Sequence, residues 1–565
     1  MNTLLEKNKY VFLALIICLG LFLRLFMLGQ NPPSLNWDEA STGYNAFSIL
    51  KTGKDEYGNF LPLSIRSFDD YKPPLYTYLD VPFIGLFGVT ETAVRLPSAI
   101  LGTLSIPLLY FLVLEIFSNI KKKEEEVKVL HYKTVLALLS SFFFAISPWS
   151  LQFSRAAYEG NIGLFFLLGG ILFFLKFLQK ARYLYISTVF FVLSMYSYHS
   201  FRLVVPVLLL SLFIIFFKEI LLQKKQVLIN ILLLGILVLP VFYSFIQAGS
   251  GGTGSRLSMV TLFGPSPNLD HSISELSYDK FQNDFMGEVL HNRRIVYFLA
   301  VAKGYLDHFN PDFLFLHGDG GRQHHAVDMG MMYLIDLPLI LLGFIVLSKQ
   351  LNKRTFLVLL LLLIAPLPSA ITTGTPHPVR AIAMLPSFVI LSSIGGLFLV
   401  QKISHVGYRE KGKELKYLCL LLVLAVGLFN FTYYIHQYYV HTPLEYGDFW
   451  QYGYKEAFSY AKSHETEYKK IIVTYKYDQP YIYYLFYNKI DPAWYQQNWN
   501  FTHDGVMPRF ERKIGKYEFR NINFGKDQTS KETLLIGTPD EIPEDKTIKK
   551  IFFINNQEAF RIGRT

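Results

Sequence analysis

The stretch "LYTYLDVPFIGLFGVT", residues 75–90, decides how the whole chain is threaded. It is apolar enough to invite reading as a bilayer crossing. It also contains Asp80 and Pro82, and it falls short of the ~20 residues a helix needs to span the hydrocarbon. We read it as an amphipathic helix lying at the membrane interface. The consequence reaches far downstream. With the N-terminus inside, the inner loops are "KKKEEEVKVLHYK" (121–133), "QKAR" (179–182), "KEILLQKK" (218–225), "SKQLNKR" (348–354) and "QKISHVGYREKGKELK" (401–416). All are rich in Lys or Arg, as inner loops should be. The outer turns near 150–159, 200–202 and 372–379 carry few such residues. Counting 75–90 as a crossing would invert everything after it and put the lysine clusters outside.

The rest of the chain supports a polytopic membrane protein. Of its 565 residues 51% are hydrophobic and only 17% charged, against about a quarter charged in soluble domains. Apolar runs recur at 11–28, 97–117, 134–149, 160–178, 183–199, 203–217, 226–247, 330–348, 355–371, 380–400 and 416–436, about eleven candidate spans. The first run follows Lys7 and Lys9 and lacks a small-residue cleavage pattern, so it reads as a retained span. The formal charge of +10 is scattered between apolar runs, which argues for anchoring on the inner leaflet and against nucleic acid. Two cysteines, Cys18 and Cys419, form no metal or disulfide framework. Interfacial belts account for much of the 16% aromatic content.

The expected fold is an all-α polytopic membrane module over residues 1–436, followed by a small α/β domain over 437–565. Two large outer loops, 29–96 and 249–329, interrupt the module. In the tail, "KKIIVTY", "PYIYYLFY", "TLLIG" and "IKKIFFINN" alternate short apolar strands with helical stretches. This topology places the N-terminus in the cytoplasm and the tail outside it.

The topology rests on lysines, yet it gathers the unusual polar residues at one membrane depth. Asp38 and Glu39 follow the first span. Lys72 sits in "DDYKPPLYTYL" (69–79), where two prolines fix an extended turn. Arg155 and Glu159 lie in "SRAAYEG", His199 and Arg202 in "YSYHSFR", and His377 and Arg380 in "TPHPVRA". Ionisable groups at span ends facing one cavity mark a functional site. Cations there would grip a lipid phosphate by charge-assisted hydrogen bonds, and a carboxylate beside them could take the proton of an attacking hydroxyl. Phosphate is a good leaving group once its charge is met, so one base and several cations suffice. Adjacent residues do not share a helix face. Asp38 and Glu39 should therefore do different jobs, one facing the acceptor and the other orienting the loop or meeting a cation or cap.

"WDEA" (37–40), "YKPPLYTYL" (71–79), "VRLPSAILGTL" (94–104) and "SRAAYEG" (154–160) resemble the GT-C glycosyltransferases, in particular the bacterial protein mannosyltransferase and aminoarabinose transferase group. The resemblance covers residues 10–245 well and the later spans loosely; it does not reach the tail. It implies a multi-span helical module with juxtamembrane helices in the first outer loop, a polyprenyl-phosphate-linked sugar as donor and a hydroxyl-bearing acceptor. It implies Asp38 as catalytic base with Glu39 beside it, Lys72 on the donor phosphate, Glu159 as a second carboxylate, and Arg380 as a basic residue near the donor. Arg202 and Arg155 are further phosphate candidates. His199, His324, His325 and His377 are candidate acceptor or loop contacts. The resemblance leaves metal dependence open.

Blander readings compete at each position. Asp38 and Glu39 could merely favour a helix dipole. Lys72 and Arg24 could snorkel, and Arg155 and Glu159 could form a structural i,i+4 pair. His317, His324 and His325 with Asp319, in the Gly-rich "HGDGGRQHH" (317–325), match no strong ligand spacing, so no metal site is assigned although a divalent cation is conceivable. "GSGGTGSR" (249–256) lacks the lysine of a P-loop. A transporter or lipid flippase is the alternative class. It should carry midplane charges and paired broken helices, whereas the charges here lie near one surface. A non-catalytic scaffold is a third class.

Overall fold

A computed structural model describes residues 7–68, 70–118, 132–246, 261–263, 267–406, 412–498 and 512–565. The inner run "KKKEEE" and the glycine stretch 249–255 lie outside the described residues. The chain divides into two compact units. One comprises Met1–Leu23, Leu101–Phe153 and Glu159–Tyr434; the other comprises Arg24–Ile100, Ser154–Tyr158 and Ile435–Thr565.

The first unit is helical, and each apolar run of the sequence coincides with a helix. Among the described residues, five helices are long and apolar enough to cross a bilayer, or six if the bent pair Lys133–Ile146 and Pro148–Ser154 counts as one span. Several others, including Tyr183–Ser197, Phe201–Ile215 and Asp336–Ser348, are apolar but shorter. Eleven full-length crossings are therefore not established by helix length. Burial sorts centre from periphery. Glu159–Phe177 and Ile382–Ser404 are 83% buried over their most apolar window, whereas Lys413–Glu445 is 6% buried and presents its apolar side chains outward, as a lipid-facing helix would. Tight packing in the centre uses small residues. A Cβ on Gly343 would lie 2.0 Å from the Leu391 carbonyl oxygen, and one on Gly395 would lie 1.9 Å from that of Leu339. The helices Asp336–Ser348 and Leu385–Val406 thus touch backbone to backbone. Cys18 and Cys419 are both free thiols.

The segment expected as outer loop 249–329 is largely helical where described: Pro267–Gln282, Phe285–Leu290 and Arg293–Asp307. Side-chain caps start the second and third of these. Asp284 accepts from the Gly287 amide, and Asn292 from the Arg294 amide.

The second unit is built around the helix Trp37–Thr52. Its start is a capping box: Asn36 accepts the Glu39 amide at 2.9 Å while the Glu39 carboxylate accepts the Asn36 amide at 3.2 Å. It ends at Gly53, whose φ of 69° suits glycine. The short antiparallel pair β1 (Ile65–Ser67) and β2 (Asp70–Lys72) follows, with Ile65 opposite Lys72. The decisive stretch then forms a helix of 13 residues, Leu75–Phe87, with Pro82 inside. It packs against Trp37–Thr52.

The tail of this unit is the expected α/β domain. β3 (Lys470–Val473), β4 (Arg512–Ile514), β5 (Tyr517–Phe519), β6 (Thr533–Gly537), β7 (Thr547–Phe552) and β8 (Glu558–Arg564) form one sheet in the order β4-β5-β3-β6-β8-β7. β3 runs parallel to both β5 and β6. The continuous apolar runs of β3 and β6 are buried accordingly. "PYIYYLFY" is a helix, Pro480–Tyr487, opened by proline in its first turn.

Helices of the tail pack directly on Trp37–Thr52. A Cβ on Gly43 would lie 2.5 Å from Val94 and 2.7 Å from Phe486, so only glycine permits this approach. Gln496 donates to Ser48, Thr52 and the Asp55 carbonyl, and Tyr483 donates to the Leu35 carbonyl.

Candidate active site

Asp38 and Glu39 occupy the first turn of Trp37–Thr52 and point to different surroundings. The Glu39 side chain is 1% exposed. Its carboxylate accepts Arg95 Nε at 2.9 Å, a second guanidinium nitrogen at 3.1 Å and the Ala157 amide at 2.9 Å, besides the Asn36 amide. Arg95, fully buried, also donates to the carbonyls of Leu28, Pro32 and Ser34. A buried charge is tolerable when paired and hydrogen-bonded in this way. Glu39 is thus the carboxylate that meets the cation and the cap. "VRLP" carried Arg95 in the sequence, yet no role was read for it. The available signal was an ionisable residue in the first turns of an apolar helix.

Asp38 is different. Its side chain is 53% exposed, and its Oδ1 accepts a hydrogen bond from Lys72 Nζ at 2.5 Å. Lys72, at the end of β2, is nearly buried and lies 5.9 Å from the centre of the Phe68 ring. An ammonium carries three donors, so the same lysine can hold Asp38 and a phosphate oxygen together. A phosphate on Lys72 would then sit within contact reach of the Asp38 carboxylate.

Arg155 belongs to the same unit and is 1% exposed. Nε donates to the Tyr438 hydroxyl at 3.0 Å, and the two terminal nitrogens donate to the carbonyls of Arg24 at 3.2 Å and Asn31 at 3.0 Å. It also lies 5.2 Å from the ring centres of Tyr438 and Tyr439. This binds the 154–158 turn to the start of the first outer loop. Arg24 does not snorkel: it is 0% exposed, enclosed by protein.

The remaining predicted residues lie in the helical unit. Glu159 opens the helix Glu159–Phe177. A Cβ on the next residue, Gly160, would be 2.9 Å from Val379, which brings this helix start against the turn carrying His377 and Arg380. Arg380 donates to the Thr372 hydroxyl at 2.6 Å and the Thr373 carbonyl at 2.8 Å. The His377 amide donates to His308 Nε2 at 3.1 Å, while His308 Nδ1 donates to the Gly304 carbonyl. Burial holds the His308 ring below the usual histidine range, which suits a ring nitrogen that accepts.

His324 and His377 rings lie 5.1 Å apart, and His324 stacks on Phe153 at 6.1 Å. His324 Nδ1 bonds Asp319 at 2.8 Å, and His325 packs against the Asp319 and Ala326 carbonyls. "HGDGGRQHH" is therefore a packed turn, held by its own histidines. His199 and Arg202 lie at the junction of Tyr183–Ser197 and Phe201–Ile215, with Arg202 Nε 3.4 Å from the Met195 carbonyl. Among the described residues no group of three or more His, Cys, Asp or Glu side chains is placed to hold a metal ion.

The chain has the fold of solved GT-C proteins. Solved structures make the likeness specific. The chain matches ArnT from Cupriavidus metallidurans in the apo state with a TM-score of 0.54 and 10% identity, over 99% of this chain and 98% of that one. It matches the same protein bound to undecaprenyl phosphate with a TM-score of 0.54 and 11% identity, over 98% of each chain. An archaeal oligosaccharyltransferase, AglB from Archaeoglobus fulgidus, in complex with an inhibitory peptide and a dolichol-phosphate, aligns with a TM-score of 0.47 and 12% identity, over 86% of this chain and 64% of that one. No protein-family model and no curated protein matches the chain.

Proposed function

We propose that this protein is an integral-membrane inverting glycosyltransferase that moves a sugar from a polyprenyl-phosphate carrier to a hydroxyl acceptor on the extracytoplasmic face. The observation that carries the reading is the exposed Asp38 carboxylate in direct contact with Lys72, beside a Glu39 consumed by Arg95. The fold it shares with a protein solved with undecaprenyl phosphate supports a lipid-linked donor. An apolar cavity of about 570 Å³ in the helical unit, lined by Leu139, Phe142, Leu339 and Leu428, offers room for an isoprenoid segment.

In the proposed step the acceptor oxygen attacks the anomeric carbon and its proton passes to Asp38. The bond from that carbon to the phosphate oxygen breaks, and the electron pair leaves with the polyprenyl phosphate. Lys72 meets the charge that develops there. Arg155, with its donors on Tyr438, Arg24 and Asn31, is assigned to positioning.

The test is transfer from a panel of labelled polyprenyl-phosphate sugars by the protein in proteoliposomes. At least one donor should be consumed, and Lys72→Ala should cut transfer by about 10²–10³-fold. A folded protein inert toward every donor would overturn the reading, as would full turnover by Lys72→Ala.

A further inference from the structure

The C-terminal α/β domain holds a pocket of about 370 Å³ whose lining includes neither Asp38 nor Lys72. That volume is within the range of small-molecule sites, ~300–1,000 Å³. Two tyrosines line it, Tyr484 and Tyr517, their ring centres 4.2 Å apart. Trp494 stands at its rim, 41% exposed, on the short helix Pro492–Asn498. Asp491 sets that helix by accepting the amides of Ala493 and Trp494. On the facing side the β4–β5 turn supplies Gly515, where a Cβ would lie 3.8 Å from the Trp494 ring, in ordinary contact.

The polar groups are unevenly committed. The Lys516 ammonium donates to the Glu465 and Tyr468 carbonyls, so its charge is held by the turn. Among the described residues the buried Tyr517 hydroxyl has no hydrogen-bond partner. A buried hydroxyl left unmatched costs about 1–3 kcal/mol, so a ligand that the Tyr517 side chain turns to meet would recover it. The Glu465 carboxylate lies near enough to both tyrosines to make each phenol harder to ionise, after burial itself.

We propose that this pocket binds an uncharged glycan segment of the acceptor. The chemistry matches on each side. The C–H face of a pyranose stacks on an exposed indole. Sugar hydroxyls donate to the Glu465 and Asp491 carboxylates and accept from the Tyr517 phenol, replacing its missing partner. Two carboxylates beside a committed lysine repel anionic chains, which sets the specificity. Calling the glycan an acceptor rests on the transferase reading; the binding itself does not.

Isothermal titration of the full-length, detergent-solubilised protein with neutral trisaccharides tests this, using maltotriose, cellotriose, mannotriose and chitotriose. At least one should bind with 1:1 stoichiometry. Trp494→Ala should weaken it about tenfold or more, and Glu465→Gln and Tyr517→Phe by several-fold. Asp38→Asn should bind as the unaltered protein does. No binding by any neutral trisaccharide, unchanged affinity in both Trp494→Ala and Glu465→Gln, or equal binding of a trigalacturonate overturns the proposal. No trisaccharide binding by the unaltered protein, with intact sugar transfer, would sink the pocket alone; binding without transfer to any acceptor would sink the transferase reading alone.

Discussion

Glu39 and Asp38 are neighbours in sequence and opposites in environment. The Glu39–Arg95 knot is dry, with side chains 1% and 0% exposed and every bond directed at protein. The Asp38–Lys72 pair meets solvent through a carboxylate that is 53% exposed. One helical step, about 100° of rotation, separates a structural anion from one that a substrate can reach. An acidic dipeptide at a helix start can thus bury one carboxylate and leave the other exposed.

The knot should be the more fragile of the two. Arg95→Ala would leave Glu39 buried without its cation, and breaking such a pair costs about 3–5 kcal/mol. Thermal unfolding followed by size exclusion should show a large loss of folded protein. Asp38→Asn should unfold close to the unaltered protein, since removing an exposed partner costs on the order of 1 kcal/mol or less. Equal destabilisation by the two would erase the distinction.

A second buried carboxylate sharpens it. Glu56 is fully buried, and burial pushes its carboxyl up to about 8 despite the nearby Arg512. The folded state thus holds its proton more tightly than the unfolded chain, for which 4.5 is the ordinary value. That stabilisation is complete below about pH 4.5, declines as pH rises toward 8, and is gone above it, with a span on the order of a few kcal/mol. Melting temperature should fall from pH 5 to 8, and Glu56→Gln should flatten that slope. A slope unchanged in Glu56→Gln would contradict the assignment. Gly43→Ala should cost about 1–3 kcal/mol by forcing Val94 and Phe486 apart. A neutral melting shift would mean that the two neighbours yield freely.

Much of this was legible in sequence because it is local. Apolar runs marked the helices, and short runs such as "TLLIG" marked strands. The reading of 75–90 followed from Asp80, Pro82 and length, and a 13-residue helix occupies it. Long-range partnerships left no such trace. Glu39 and Arg95 are 56 residues apart, and Gln496 reaches Ser48 across 448. Nothing periodic links such positions. The helices at 267–307 carry no span signal: Pro267–Gln282 is polar and charged, and Arg293–Asp307, though more apolar, is only 15 residues long. Arg155 looked like a phosphate ligand by charge and depth; its role as a clamp on Tyr438 and two carbonyls depends on a turn that sequence does not specify.

The most direct test of the central claim is the turnover of Asp38→Asn in proteoliposomes with a labelled polyprenyl-phosphate sugar, measured on protein whose melting temperature matches the unaltered chain. With Asp38 as the proton acceptor, the rate should fall by about 10²–10⁴-fold. A rate within a few-fold of the unaltered protein would contradict it and send the search for a base elsewhere.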